Sequence, residues 1–303
     1  MTYEAFKEQI ISSLRGHFPK EASISIQQFQ HNNQVALDGL TVLEPGSNVS
    51  PTIYLNRYYG EYQKGTPVSE IENRILRYYY SHSTVQNIDI SFFTSFDNVR
   101  SRIAYKLVHF GRNQELLEEV PHVPFLDLAV VFYCLVQEGP YKNGMILIRN
   151  EHLRYWGIEA GALFPLARAN TPLLLPFTCN SLAELLLPAL DDEMLEECNL
   201  SRESLQSGAV PMYVVSNRQR QNGAASLLYQ EEMEQVSQKL GGSFYILPSS
   251  VHEVIAIPAS AAKSPQELSR IVKEINLAEV SPEEVLSDCV YLYDQDSGSL
   301  SVC

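Results

Sequence analysis

The sequence predicts an α+β protein with mixed, largely antiparallel sheets and helices packed on one face. Three observations carry that expectation. Extended runs come in neighbouring pairs around short polar turns, as in SISIQQFQ, HNN and QVALDGLTVL, which is the pattern of a hairpin. Helical periodicity with clear start signals separates these pairs. The last third orders itself as ββαββα, then a short helix and a strand, which suits an antiparallel sheet with helices on one side.

Taken in order, Tyr3, Phe6, Ile10 and Leu14 fall at helical spacing and Gly16 follows as a stop signal. The hairpin comes next. Ser50-Pro51 then reads as N-cap and first helical position, where a missing N–H does no harm. In that helix Tyr54, Tyr58 and Tyr62 share a face that Leu55 and Tyr59 widen, the stripe of a helix lining a core. Val68, Ile71, Ile75 and Tyr79 mark a third helix. RIAYKLVHF, LAVVFYCLV and GMILIRN read as strands, and EHLRYWGI as helical. Ser181-Leu182-Ala183-Glu184 is a capping box, and the acidic and polar stretch from Asp191 to Gly208 is the best boundary in the chain.

In the final third, PMYVVSN and AASLLY are expected to pair around the loop NRQRQNG. A helix with Met233, Val236 and Leu240 follows, then strands SFYILP and HEVIAIP. Ser264-Pro265-Gln266-Glu267 opens a helix whose apolar face is Leu268, Ile271, Val272 and Ile275. Ser281-Pro282 opens a short helix, and VYLYD closes the sheet. The expected units are 1–100 (helix, hairpin, two helices), 101–205 (mixed α/β) and 206–303 (ββαββα), or one compact globule.

Bulk properties narrow the function classes. The 303-residue chain is 45% hydrophobic and 19% charged, ordinary values for a globular protein. Its net charge of −14 opposes binding to a phosphate backbone, so no nucleic acid is expected. FLDLAVVFYCLV, interrupted by Asp127, falls short of the ~20 residues that cross a bilayer. The start does not resemble a signal peptide, so no membrane is expected and the cytoplasm is the default. Five cysteines without a CxxC pair read as reduced thiols, and no metal or cofactor is expected.

Standard catalytic and phosphate-binding signatures are absent. HEVIA at His252 has Ala256 where a zincin needs its second histidine. Ser250 and His252 share a face of an extended chain, as half of a hydrolase site would, but the preferred reading is a serine-rich turn whose hydroxyls bond nearby backbone. Cys179 lies just ahead of a capped helix whose N-terminus would lower its pKa, while the apolar LLLPF before it favours burial. The loop Asn217, Arg218, Gln219, Arg220, Gln221, Asn222 holds the one local concentration of positive charge. Two guanidiniums flanked by amides could clamp a carboxylate or phosphate, so Asn217, Arg218, Arg220 and Asn222 are the preferred contact residues. The expected strand order places this loop and the Ser249–His252 turn at opposite ends of the sheet, ~20 Å apart.

NVSPTIYLNRYYGEYQKG, SNRQRQNGAASLLY, GGSFYILPSSVHEVIAIP and VSPEEVLSDCVYLYD closely resemble a family of gut clostridial (Firmicutes) proteins known only as a domain of unknown function. The resemblance spans nearly the whole chain. It implies a cytoplasmic bacterial protein and assigns no role to any residue. The leading reading is therefore a binding protein for another protein or a small anionic ligand. The alternatives are an enzyme assembled from scattered residues around Cys179 or His252, and a small-molecule sensor with a pocket between the thirds.

Overall fold

A computed structural model describes residues 1–83, 91–136, 144–188 and 211–303. The acidic boundary from Asp191 lies outside them. The fold is α+β, with antiparallel sheets, and the chain divides into two compact units: Met1–Thr94 with Val136–Gly144, and Ser95–Leu135 with Met145–Cys303.

In the first unit, helix α1 (Tyr3–Leu14) and helix α3 (Val68–His82) bury the residues their periodicity selects: Phe6, Ile10 and Leu14, then Ile71, Ile75 and Tyr79. Strands β1 (Ser23–Gln30) and β2 (Ala36–Leu43) pair Ile24 with Val42 and Ile26 with Leu40. In an antiparallel ladder, paired residues share a face, and this one supplies Ile24, Leu40 and Val42 to the same core. Full burial of each such side chain contributes roughly 1.5–3 kcal/mol before entropy is counted.

The second helix starts later than expected. Ser50 does not cap it; its hydroxyl accepts from the Val42 amide and donates to the Pro51 carbonyl. Residues Ile53–Tyr54 instead form a short strand, β3, beside Gly39 and Leu40, and α2 runs Leu55–Gln63. Edge pairing along β2 has overridden the helix-start chemistry. Tyr54 consequently leaves the helical stripe and meets the His31 ring edge-on at 4.5 Å. Tyr58, Tyr59 and Tyr62 do pack on the core. Tyr59 hydrogen-bonds to the Met1 carbonyl and Tyr62 to its amino group, at 3.0 and 2.8 Å.

The second unit holds two sheets. One has the order β4–β6–β5, with β7 also on β6, from β4 (Ile103–His109), β5 (His122–Phe125), β6 (Leu128–Val136) and β7 (Gly144–Leu147). After the short helices α4 (Phe96–Val99), α5 (Gln114–Glu119) and α6 (Asn150–Trp156), helix α7 (Leu163–Leu174) covers the free edge of β4. Thr171 accepts the Tyr105 amide at 3.2 Å, and Asn170 donates to the Ile103 carbonyl at 3.0 Å. An uncovered edge would invite pairing with another chain.

The other sheet runs β13–β12–β10–β11–β9–β8. Its strands are β8 (Phe177–Ser181), β9 (Tyr213–Asn217), β10 (Phe244–Leu247), β11 (Val254–Pro258), β12 (Tyr291–Asp294) and β13 (Ser299–Val302). Its helices are α8 (Leu182–Leu186), α9 (Gln230–Leu240) and α10 (Pro265–Ala278).

Four expectations are corrected here. AASLLY is no strand: Gly223–Leu228 is a 3₁₀ helix, because its small residues lack the period-2 alternation of a strand and pack directly on the sheet. The place beside β9 is taken by β8, from the middle of the chain. Ser281–Glu284 is a turn closed by the Glu284 amide on the Ser281 carbonyl, at 2.8 Å. VYLYD is followed by a further strand, β13. On α10 the buried stripe is Leu268, Val272 and Asn276, while Ile275 is 41% exposed. Asn276 turns inward because its amide meets Ser287 O and Asp288 Oδ1 at 3.0 and 2.8 Å.

Tyr105 lies in the centre of the second unit with its ring between Phe164 and Tyr229, and its buried hydroxyl has no hydrogen-bond partner. An unsatisfied buried hydroxyl destabilises, so Tyr105→Phe is expected to raise stability by about 1 kcal/mol in urea unfolding. A drop in the unfolding midpoint would refute this.

Candidate functional site

The arginine loop is built from the end of β9. Asn217 is 1% exposed, and its side-chain amide closes a ring with Gln221: Nδ2 donates to the Gln221 carbonyl at 2.8 Å, while Oδ1 accepts its amide at 3.3 Å. The Arg218 amide bonds Pro176 O at 2.9 Å and the Arg220 amide bonds Asn217 O at 3.0 Å. Arg220 and Asn222 sit at φ +50° and +52°, in the left-handed region where non-glycine residues are strained. The loop is thus held in one shape by its own polar groups. Arg218 and Arg220 are exposed, and neither guanidinium has a partner among the described residues. Asn217 and Asn222, expected beside them as contacts, are buried supports.

The loop and the histidine turn meet, contrary to expectation. The Asn222 amide donates to His252 Nδ1 at 3.2 Å, and Ser216 Oγ donates to the His252 carbonyl at 2.8 Å. The expected order counted one strand too many between them, and every strand reverses the chain. With that strand removed, β10 runs in the same sense as β9, and the start of β11 lies beside the end of β9, Val254 opposite Val215. Gly223 makes the approach possible: a Cβ there would stand 2.0 Å from Ser216 Oγ and 2.4 Å from the His252 carbonyl oxygen.

The meeting does not create a hydrolase dyad. Ser250 Oγ accepts the His252 backbone amide at 3.0 Å, the local turn that its sequence also allowed. His252 Nδ1 is taken by Asn222, which leaves the ring proton on Nε2, 3.5 Å from Glu284 Oε1. His109 and His152 repeat the pattern, their Nδ1 atoms accepting the Arg112 and Arg149 amides at 3.1 and 3.0 Å. Each ring is a fixed support with no lone pair left for proton abstraction. Cys179 sits in β8 opposite Val215. Burial pushes its thiol up, with Glu184 adding to this and Lys239 opposing it. The five-residue helix beyond it does not reverse that direction.

A denser polar group was missed by the sequence reading. A two-residue turn between β5 and β6 pairs Phe125 with Leu128 and holds Leu126 at φ +55°, a conformation unfavourable by roughly 1–2 kcal/mol for an L-residue. The turn aims Asp127 at Ser287 Oγ and Tyr291 OH, 2.6 and 2.5 Å away, and His109 Nε2 stands 3.8 Å off. Arg112 pairs with Asp288 at 2.5 Å. Cys289 is beside them, its thiol pushed up by burial and then by Asp127. A thiol, an imidazole and a carboxylate therefore do converge. Burial holds the thiol pKa up and the imidazole pKa down, and the imidazole's Nδ1 is taken by the Arg112 amide, so the group braces the fold and lacks an activated nucleophile. Its one linear signal is an aspartate inside the most apolar run of the chain.

The described residues of the second unit line two clefts among others. One of about 350 Å³ is lined by Gln230, Glu234, Gln238 and Tyr293; the other, about 460 Å³, by Arg168, Pro172, Tyr229 and Glu231. Neither lining holds a thiol or an imidazole.

Gly223→Ala should destabilise by roughly 3 kcal/mol, the upper end of overpacking, whereas Gly60, with open space around its Cβ position, should accept alanine without loss. Urea unfolding of both variants checks this; equal stability at position 223 would contradict the close approach. Burial and then Arg112 lower the His109 pKa from its ordinary 6.5, with Asp127 opposing. A depressed folded-state pKa means that stability is full above about 6.5 and falls as pH drops through the folded value. His109→Gln should therefore flatten the decline of Tm between pH 7 and 5. Parallel Tm–pH curves for the variant and the parent would refute it.

The family model described as "Family of unknown function (DUF5688)" matches residues 3–295. No curated protein and no solved structure matches the chain. With the match covering nearly its whole length, the chain belongs to the family of unknown function DUF5688.

Proposed function

We propose that this is a binding protein of the bacterial cytoplasm whose Arg218/Arg220 loop holds an anionic group on a protein or small ligand. The observation that carries the reading is preorganisation. Left-handed residues, a side-chain amide ring and backbone bonds to Pro176 and Asn217 hold the loop in place. Two guanidiniums are left with no acceptor of their own among the described residues. Ordering a loop in advance removes an entropic penalty from binding, and paired guanidiniums suit carboxylate and phosphate oxygens. The engaged histidines and raised thiols favour binding over catalysis at this face. No described helix is long and apolar enough to cross a membrane.

The test compares wild type with Arg218→Ala/Arg220→Ala, both immobilised and exposed to native cell extract. A parallel titration with inorganic phosphate and an acidic peptide is followed by amide chemical shifts. Wild type should retain a partner or show saturable shifts in residues 217–222. The double variant, unchanged in circular dichroism, should lose tenfold or more in affinity, on the order of two charge-assisted hydrogen bonds. Equal behaviour of the two proteins, or no binding by either, would sink the reading.

A further inference from the structure

Lys106 stands where a lysine is least expected. It is the middle residue of β4, and alternation puts it on one face with Ala104 and Val108. Ala104 belongs to an apolar cluster with Tyr133, Leu135 and Leu175; Val108 belongs to another with Leu117, Val120, Ala129 and Val131. Lys106 lies between the two, opposite Val131 in the ladder. The side chain is half-buried and still reaches solvent. Among the described residues it makes no hydrogen bond and no ion pair. Burial alone lowers its pKa, with no neighbouring charge contributing in either direction.

Such an arrangement is unfavourable for a structural role. An unpaired ammonium taken out of water is strongly disfavoured, and the group responds by shedding its proton. A methionine of similar length would fill the same space without that penalty. A solvent-reachable amine on apolar walls, its pKa lowered by burial, is also a lysine better disposed than an exposed one to attack carbonyl carbon. The face offers one further group for such chemistry. Tyr133, diagonal to Lys106 across the ladder, keeps its hydroxyl proton because burial pushes its pKa up, and the Asn222 side chain lies beside that hydroxyl. His122, opposite Val131 in the same row, is held at Nδ1 by the Val120 carbonyl and adds no negative charge.

We propose that Lys106 is a reversible covalent binding site for a small aldehyde or ketone, with Tyr133 as the hydrogen-bond donor to the carbonyl oxygen. The Lys106 nitrogen adds to the carbonyl carbon, forming a C–N bond while the oxygen takes up a proton. The resulting carbinolamine expels that oxygen as water, carrying both amine protons with it, and leaves an imine. Hydrolysis reverses the sequence, and no oxidant or reductant takes part. This site uses neither guanidinium of the arginine loop and stands or falls separately from it.

The experiment treats the intact protein with butanal or glyoxylate at pH 7 in the presence of cyanoborohydride, which reduces an imine to a stable secondary amine, and locates the adduct by peptide mass spectrometry. Lys106 should be modified at least tenfold faster than the exposed Lys20 and Lys64. Tyr133→Phe should slow the trapping at Lys106 while leaving Lys20 unchanged. Lys106→Met should abolish the fast adduct and raise Tm, the signature of a residue retained at the expense of stability. Trapping no faster at Lys106 than at Lys20, or protection of Lys106 by phosphate or acetate without any trapped adduct, would overturn the proposal. A fall in Tm on Lys106→Met would likewise count against it, showing the side chain to be structural.

Discussion

The approach of the 3₁₀ segment to the end of β9 is the contact on which the arginine loop and the histidine turn both depend. At position 223 the backbone lies so close to Ser216 and to the His252 carbonyl that only a hydrogen fits. That contact lets Ser216 bond the His252 carbonyl and lets the next amide back, that of Asn222, reach the His252 ring. Ser226 returns from the same 3₁₀ turn to bond the carbonyls of Gly223 and Ser216. A side chain at 223 would push the segment off the sheet and release these bonds together. The loop between them would then lose its anchors, and the guanidiniums their fixed positions.

A second constraint is how the polar groups are used. Buried polar atoms must be paired, and this protein pairs them by setting imidazoles and amides against its own backbone. His109, His152 and His252 each accept a backbone amide on Nδ1; Asn217 closes a loop and Asn276 secures a turn. The Asp127 group does the same on a larger scale, joining the β5–β6 turn to residues 287–291. Residues that look reactive in a linear reading are thereby converted into supports. Among the described residues Lys106, like the buried Tyr105 hydroxyl, departs from that pattern: it has no hydrogen-bond or ion-pair partner.

Legibility followed the range of the interactions. Helices α1, α3, α9 and α10 were readable because periodicity and caps are local: Thr2 and Ser264 cap their helices, and Ser181 closes the capping box its spacing announces. The β1–β2 hairpin was equally open. Ser50-Pro51 misled because an edge-strand bond to Val42, absent from any local signal, competed with the helix start. AASLLY misled because hydrophobic content suggested a strand where small side chains and burial demanded a 3₁₀ turn. That one error reversed the sense of every later strand and separated two loops that touch. Lys106 and the Asp127 group escaped notice since their meaning lies in which neighbours they lack or gain across the fold.

What the residues determined alone was the α+β class, the capped helices, the tyrosine wall and an arginine-bearing loop, all consequences of interactions between near neighbours in the chain. Tertiary structure alone decided which strand lies beside which and which histidine nitrogens are engaged. It also decided that one lysine stands unpaired in the middle of a sheet. The strand order and the hold on His252 depend on pairings between residues tens of positions apart, such as Phe177 with Asn217 and Asn222 with His252, and side-chain order along a chain carries little record of pairings at that range.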